Sequence, residues 1–392
     1  MSNLVIFNLQ VKDATAKQTS LSNPLVVGEF EADANSAGPL KAGVYFTDDL
    51  LVKSDSNNYV RTMVFESVLD AADVFLTSSK IYKAIVKLFG QAVSPQKVFV
   101  GQARTADTDR SATLNAISAE QDDFYYILDV DADDVDADII DDWASANEKY
   151  FRYLTNNSGV KAATSTDIAA TLKAKGTNST EVIFTNEVDA DGDLVRHDAA
   201  ITGFVSALRP GLYTEKFLKL IGCKAVDSKT YPVGTKLTPT DITNILNKNA
   251  NIYAESNVGP IYREGTAASG RFEDVQRYSK YLKQQIVNAV SLVLANPPNG
   301  NKVPYTDGGV SLIRGAIAQI LQFEIGLGRL TPFVTTDIDG IDTLVPYEIN
   351  VTPVVDVPIN ERNARQYNNK ITVKVRYSSA IHNVEIDGDM YV

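Results

Sequence analysis

The side chains that could carry chemistry are few and lie far apart in the sequence. The two histidines, His197 and His382, have no cysteine, second histidine or carboxylate at metal-ligand spacing. Cys223 is the single cysteine, so no intramolecular disulfide can form and no candidate base stands near the thiol in sequence. A histidine metal centre is therefore not predicted, and we interpret the histidines as structural and Cys223 as a buried thiol.

Two acidic stretches, 129–142 and 188–195, invite comparison with a calcium-binding loop. An EF-hand loop needs Asp at positions 1, 3 and 5, Gly at position 6 and Glu at position 12. The first stretch has Asp134 at position 6, the second has Gly192 at position 4, and neither has Glu at position 12. We therefore interpret 129–142 as an acidic helix start and 188–195 as a turn.

The glycine-rich segment 265–271 precedes a predicted helix and could bind an anion at the helix N-terminus. Glu273 and Asp274 already occupy the first helical turn, which favours a turn followed by acids that compensate the helix dipole. The sequence has no Walker-type loop and no Gly-x-Ser-x-Gly elbow. We predict no catalytic residue, no metal site and no cofactor, and hence a protein that is not an enzyme.

Basic residues are concentrated around one predicted helix, 273–294. Arg271 precedes this helix, and three more basic residues lie away from its apolar stripe: Arg277, Lys280 and Lys283. This local excess is unusual in a chain whose net charge is −12. Two interpretations stay open, a solvated basic face and a contact with an acidic protein surface.

The composition indicates a folded protein that does not bind nucleic acid. Its 392 residues are 44% hydrophobic and 22% charged, which suggests two or three domains. The net charge of −12 and the pI of about 4.8 argue against a phosphate-binding surface. Neither a signal peptide nor an apolar stretch of roughly 18 residues is present, so we expect a soluble protein that stays in the cytoplasm where it is synthesised.

Helix and strand patterns alternate between Pro24 and Arg209, which predicts an α/β layered domain. Helical periodicity marks 66–76, 79–89, 137–154 and 197–208. Short apolar runs predict strands at 97–101, 124–130 and 180–186.

The remainder of the chain has a different pattern, with two long helices followed by strands. The helices are predicted at 273–294 and 309–325, and the strands at 345–355 and 371–377. A strand at 4–11, followed by a polar tether at 12–23, opens the chain. A terminal strand needs a partner, and we expect 371–377 to pair with 345–355 as an antiparallel hairpin within its own chain.

Four segments, in order, resemble contractile tail sheath proteins of myovirus-type bacteriophages, in particular the small sheaths without large insertions. Residues 80–101 are similar to an early helix-then-strand unit, 197–222 to an Ala-rich helix with a Pro-Gly turn, and 248–275 to a strand, glycine turn and helix entry. The strongest resemblance lies in 358–392, through Arg362 and Arg365, the strand Ile371–Tyr377, Ala380-Ile381-His382, Val384-Glu385-Ile386 and Gly388.

The resemblance implies a mixed α+β and α/β fold. Its parts would be an N-terminal arm and tether (1–23), an outer α/β domain (24–209), an inner tube-facing domain (210–380) and a C-terminal strand arm (381–392). The arms of such subunits reach into neighbouring subunits. They would involve Val5, Phe7, Leu9, Val11, Val384 and Ile386. The inner-domain strand would present Ile371, Val373, Val375 and Tyr377, and the tube-facing residues would be Arg271, Arg277, Lys280 and Lys283.

The resemblance also implies a structural role in a phage tail, in the virion, after assembly in the host cytoplasm. Subunits would stack as six-fold rings around the tail tube and contract on a baseplate signal, driving the tube through the host envelope for genome delivery. The implied partners are further copies of the chain, the tail tube protein, and the baseplate and tail terminator proteins. No cofactor, direct nucleic-acid contact or membrane insertion is implied.

Two other hypotheses stay open. One is a related self-assembling lattice protein, such as the sheath of a contractile injection or secretion machine. The other is a cytoplasmic α/β enzyme whose catalytic residues come together only in the fold. Polymerisation would separate both assembly hypotheses from the enzyme, which should remain a small defined oligomer.

Overall fold

The computed structural model describes residues 4–8, 20–30, 38–41, 61–164, 166–231, 235–297, 302–336, 340–368 and 370–382. The chain divides into two compact units, which we name by their place in the sequence. The central unit comprises Thr19–Arg209 and Tyr213–Asp274. The terminal unit comprises Met1–Gln18, Pro210–Leu212 and Val275–Val392.

The strands are β1 (Leu4–Asn8), β2 (Pro24–Glu29), β3 (Thr62–Phe65), β4 (Val98–Ala103), β5 (Tyr126–Asp129), β6 (Tyr150–Thr155), β7 (Thr180–Phe184), β8 (Ile252–Ala254), β9 (Ile261–Arg263), β10 (Leu330–Thr331), β11 (Phe333–Thr336), β12 (Asp342–Val345), β13 (Glu348–Val351) and β14 (Ile371–Tyr377). The helices are α1 (Val68–Val74), α2 (Lys80–Phe89), α3 (Arg110–Glu120), α4 (Asp134–Ala146), α5 (Ile168–Lys175), α6 (His197–Ser206), α7 (Pro239–Asn247), α8 (Glu273–Ala295), α9 (Asp307–Gly326) and α10 (Ile359–Asn363). In the described part, no helix combines the length and apolar composition that a bilayer crossing requires.

The central unit is built on a six-stranded sheet with the order β3-β4-β2-β5-β6-β7. All neighbouring strands are parallel except β3, which runs antiparallel to β4. Parallel strands need crossover connections, and helices supply them on both faces of the sheet. The predicted mixed α/β architecture is confirmed for this unit.

Each face of the sheet buries its own apolar core. Leu25 of β2 points into the core beneath α3, α4, α5 and α7, whereas Val26 points into the core beneath α1, α2 and α6. The helices α2 and α6 pack closely because Gly203 lies against the backbone carbonyl of Leu88. A Cβ at this position would overlap that oxygen.

The predicted helix at 137–154 is correct only in its first half. The helix α4 ends at Ala146, Glu148 takes a positive φ of 55°, and β6 begins at Tyr150. All six residues of β6 are buried. A strand of this kind has no period-two alternation of polar and apolar residues, because both of its faces are covered.

Residues 213–274 belong to the central unit, whereas the boundary expected from the sequence lies at 209/210. Their apolar side chains, including Ile245 and Ile252, join the same core as Ile127 of the sheet. Asn251 also extends the sheet beyond β7, since its N–H donates to the carbonyl of Val182 at 2.8 Å. Shared burial and backbone pairing therefore attach this segment to the central unit.

The terminal unit is organised around β14, which pairs antiparallel with β1, β10 and β13. The predicted hairpin partner of 371–377 is thereby confirmed, since β13 lies within 345–355. A second, two-stranded sheet is formed by β11 and β12. The long helix α8 begins with Glu273 and Asp274 of the central unit and continues through the terminal unit.

Candidate assembly site

Both edges of β14 are paired in this chain. On one edge Leu4 stands opposite Arg376 and Asn8 opposite Thr372. On the other edge β13 pairs with the first half of β14, and β10 pairs with its last two residues. Among the described residues β1 has no strand on its outer side. An open edge of this kind presents unpaired N–H and C=O groups to another chain.

Alternate side chains of β14 fix its register on the core. The odd-numbered positions, which include Val373 and Val375, are buried, whereas Arg376 is exposed. This alternation confirms the predicted two-faced strand. A slip of one residue would turn every buried side chain to the other face, so burial specifies the register strongly.

A buried aromatic and ionic contact holds the end of β14. The rings of Tyr377 and Tyr278 stack with centroids 4.7 Å apart. The Tyr278 hydroxyl donates to Glu324 Oε2 at 3.1 Å, and Arg329 Nη1 donates to the same oxygen at 3.1 Å. Burial and the Glu324 carboxylate both raise the pKa of Tyr278, so its hydroxyl remains a donor. The contact ties β14 to α8 and α9.

The opposite face of the sheet is polar, and its side-chain contacts are weak. Lys374 stands opposite Glu348 in the register, with Nζ 3.7 Å from Glu348 Oε2 and 5.4 Å from the centroid of the Phe333 ring. A partly exposed pair at this distance contributes about 0–1 kcal/mol. The apolar face therefore supplies most of the stability of this sheet.

The predicted N-terminal arm lies partly within this sheet. Val5 and Phe7 occupy β1, opposite Val375 and Val373 in the backbone register. The other predicted arm residues lie outside the described residues: Leu9, Val11, Val384 and Ile386. The first and last strands within the described residues thus pair with each other, which places both ends of the described chain at one sheet.

The predicted basic surface is not assembled as expected. The prediction that Arg277 lies on the solvent side of its helix is wrong, because Arg277 is fully buried. The first two turns of α8 are buried on both sides, so the amphipathic pattern of the later turns does not apply to them. Arg271 and Lys283 are exposed and Lys280 is half-buried.

Exposed apolar side chains are more frequent in the terminal unit than in the larger central unit, within the described residues. Val334 and Leu344 form a cross-strand pair on the β11–β12 hairpin and are 56% and 67% exposed. This hairpin was not predicted from the sequence, although Gly340 follows an acidic residue, which is a turn signal. An exposed apolar pair of this kind is a candidate contact surface.

The acidic loop 188–195 holds an ammonium group where a calcium loop would hold its metal ion. Lys83 Nζ of α2 lies 2.8 Å from Asp189, 2.7 Å from Asp191 and 2.7 Å from Asp193. Burial opposes the charge, but the three carboxylates raise the pKa of Lys83. The interpretation of 188–195 as a turn is confirmed, and the loop closes around the ammonium group of Lys83.

Another predicted structural residue, His197, is buried beside a carboxylate. Its Nε2 lies 2.8 Å from Glu187 Oε2. Burial disfavours the ionised carboxylate, yet hydrogen bonds from His197 and from the Lys224 N–H hold the pKa of Glu187 below its usual range. Cys223 is half-buried rather than fully buried, and this burial raises the pKa of its thiol to about 12, which keeps the thiol protonated. His382 is half-buried in the terminal unit.

The remaining motifs have local structural roles. Asp133 caps α4 in a capping box with Asp136, as expected for an acidic helix start. In 265–271 both Gly265 and Gly270 take positive φ, and the segment turns before α8. The carboxylate of Glu273 accepts hydrogen bonds from two tyrosine hydroxyls.

The chain shares its fold with chains of a contractile injection system. A chain in the six-fold symmetrised baseplate of the anti-feeding prophage superposes with a TM-score of 0.64 at 14% identity, covering 95% of this chain and 94% of that chain. A chain in the contracted helical sheath of the same particle gives a TM-score of 0.60 at 14% identity, covering 96% and 95%. No protein-family model and no curated protein sequence matches the chain. Nearly the whole chain therefore has a contractile sheath-like fold.

Proposed function

We propose that this chain is the sheath subunit of a contractile machine. Such a subunit polymerises around a rigid tube and shortens to drive the tube into a target cell. The observation that carries the proposal is the fold, which extends over about the full length of both similar chains. The open β1 edge and the exposed apolar residues of the terminal unit are consistent with a lattice protein.

The lattice connection would run through the terminal sheet. A strand that pairs with β14 of its own chain can pair with β14 of a neighbour at little cost, because the hydrogen bonds and register are the same. We propose that β1 and the residues beyond β14 exchange between subunits in this way. The connected arms would then keep the lattice intact while the packed units change their contacts, since interfaces rearrange more readily than cores.

The proposed partners are other copies of the chain, the baseplate, the tube and a terminator protein. Similar chains in a helical sheath and in a baseplate support the first two. The six-fold symmetry of that baseplate structure supports six-fold rings. For tube contact, Arg271, Lys280 and Lys283 are the remaining candidates of the basic set, because Arg277 is buried.

The machine could be a phage tail, as the sequence resemblance implies, or an injection machine. Both similar chains come from the anti-feeding prophage, a contractile injection system, and this favours the second form. In either form we propose a non-enzymatic, structural role without a cofactor, in an assembled particle. The phage form adds genome delivery, whereas the injection form does not require it.

Site-specific cross-linking tests the strand exchange. Ile6 and Lys374 are backbone partners in the β1–β14 register. Two proteins, Ile6→Cys and Lys374→Cys, each in a Cys223→Ser background, are mixed, assembled and treated with a short thiol cross-linker. Exchange predicts covalent heterodimers. The out-of-register combination of Ile6→Cys with Thr372→Cys is the matched control and should cross-link less.

A double variant, with Ile6→Cys and Lys374→Cys in one chain, distinguishes pairing of β1 with β14 of the same chain from pairing with β14 of a neighbouring chain. Exchanged arms predict a ladder of covalent oligomers. Cross-linked monomers alone, in samples that contain polymer, would contradict strand exchange and move the lattice contacts to other surfaces. Absence of polymer would contradict the sheath proposal itself.

A further inference from the structure

A buried ionic cluster in the central unit is unused by the proposed assembly contacts. Arg152 of β6 is fully buried, with Nη1 3.2 Å from Glu181 Oε2 of β7, and its Nη2 donates to Glu215 Oε1. Charged residues inside the aromatic strand YFRYLT and the apolar strand TEVIF are a sequence signal for such a pair, although the pair was not predicted from the sequence.

Tyrosine hydroxyls complete the cluster. Tyr262 donates to Glu181, and the third carboxylate, Glu273, accepts from Tyr126 at 2.7 Å and from Tyr213 at 2.6 Å. The titratable and charged groups that interact with Glu215 within the described residues are Arg152 and Tyr150 (β6), Glu181 (β7), Tyr262 (β9) and Glu273 (α8), and Tyr126 (β5) interacts with Arg152. Gly265 packs against Glu215 so closely that a Cβ would overlap it.

The charges of this cluster do not balance if every carboxyl is ionised. Three carboxylates would surround one guanidinium without access to water, and an uncompensated buried charge is costly. Glu181 Oε2 and Glu215 Oε2 are both buried and accept no hydrogen bond within the described residues, so a proton on one of the two carboxyls would supply the missing donor. Burial raises the pKa of both groups, as expected for two carboxyls that share a site.

The cluster stands where the chain passes between units. The chain leaves the central unit after Arg209, returns at Tyr213 and leaves again after Asp274. Tyr213 is the first residue of the returning segment, and Glu215 lies two residues after it. Glu273 lies one residue before Asp274, the last residue of the central unit. The three residues therefore anchor both passages to β5, β6 and β7 of the sheet.

We propose that Glu181 and Glu215 share one buried proton, and that this protonated pair latches both chain passages to the central sheet. Deprotonation transfers the proton to solvent and leaves two adjacent carboxylates beside a single Arg152. Their repulsion then loosens the segments at 213–216 and 272–276. This inference rests on the cluster alone and does not depend on the proposed sheath function.

The direction of the pH effect follows from the raised pKa values. Glu181 and Glu215 have raised pKa values in the folded state, so the folded chain holds their proton more tightly than the unfolded chain does. Their contribution to the free energy of unfolding is therefore fully present at low pH and is lost as the pH rises through the folded pKa. The latch should therefore be closed on the acidic side of the folded pKa of the pair and open on its alkaline side. An ordinary acid-labile ion pair has the opposite dependence.

Hydrogen exchange measured from about pH 6 to about pH 9 tests the latch on the full chain. Protection factors are corrected for the intrinsic pH dependence of exchange. In peptides that cover 213–216 and 272–276 they should fall about tenfold or more, because a shift of one pKa unit corresponds to a tenfold change in the equilibrium. Peptides covering β4 should show no such change. In Glu215→Gln, which resembles the protonated acid, the pH-dependent loss should disappear.

Glu264→Gln is the matched control, since Glu264 pairs with Lys216 at 3.0 Å near the surface of the same region. This variant should keep the wild-type pH dependence. Infrared spectroscopy of the wild type gives a second measurement that does not depend on folding of a variant. A protonated carboxylic acid band at neutral pH, lost on alkaline titration, is expected. Absence of that band, or equal pH responses in wild type and Glu215→Gln, would overturn the proposal.

Discussion

The loop around Lys83 gives a quantitative prediction. In Lys83→Met, the alkyl chain is largely kept and the ammonium is lost, so three carboxylates remain within a few ångströms without a cation. Each partly exposed ion pair contributes about 0–1 kcal/mol, and the loop makes three. We expect the free energy of unfolding to fall by about 1–2 kcal/mol, including the residual repulsion among the aspartates.

Urea unfolding at two salt concentrations measures this effect. The variant should recover part of its stability at high salt, because screening weakens the repulsion. Lys80→Met is the matched control on the same helix, since Lys80 makes a single pair with Asp131 at 3.0 Å and is half-exposed. Its loss should cost less than about 0.5 kcal/mol.

Calcium provides a second arm of the same experiment. If Lys83 takes the place of a metal ion, the vacated loop should bind calcium weakly, and a concentration of about ten times Kd would stabilise Lys83→Met by about 1.4 kcal/mol. Wild type should not respond. The pKa of Asp189 is lowered, mainly by Lys83, so the difference between wild type and variant should shrink as the pH falls below about 4. Equal free energies of unfolding for Lys83→Met and Lys80→Met at neutral pH would contradict this prediction.

Three further predictions concern single contacts, each measured by urea or thermal unfolding. Arg61 lowers the pKa of Asp107 to about 2, so this pair should stabilise the wild type above about pH 4 and lose its effect as the pH approaches 2; Asp107→Asn should remove that dependence. Gly203→Ala should cost about 1–3 kcal/mol because its Cβ meets a carbonyl, whereas Gly315→Ala, in open space on an exposed helix, should gain about 0.5–1 kcal/mol. Val373→Ala should cost about 2–3 kcal/mol, since Val373 is fully buried; a cost below about 0.5 kcal/mol would contradict its role in the core.

Local patterns in the sequence were sufficient where one face of an element is buried. The strand at 371–377 and its antiparallel partner followed from period-two alternation, and the bounds of α8 followed from its apolar stripe. The same reasoning failed for β6, because a strand covered on both faces shows no alternation of polar and apolar residues.

Residues far apart in sequence could be joined only by the fold. The fold brings together one arginine and three glutamates from distant parts of the sequence: Arg152, Glu181, Glu215 and Glu273. Two of them lie on neighbouring parallel strands and two lie where the chain crosses between the units, so no fixed sequence spacing predicts the cluster. Arg277 was misassigned because helical periodicity assumes one solvent-facing side, and the first turns of α8 have none. The lysine in the acidic loop was likewise hidden, since Lys83 lies on a different element from the aspartates.

Electron microscopy of the purified protein tests the central proposal most directly. Full-length protein and a variant lacking residues 1–12, which include β1, are imaged in negative stain across a range of concentration and salt. We predict long hollow tubes with six-fold symmetry for the full-length protein and their loss on deletion. Monodisperse monomers or dimers of the full-length protein under all conditions would contradict a sheath.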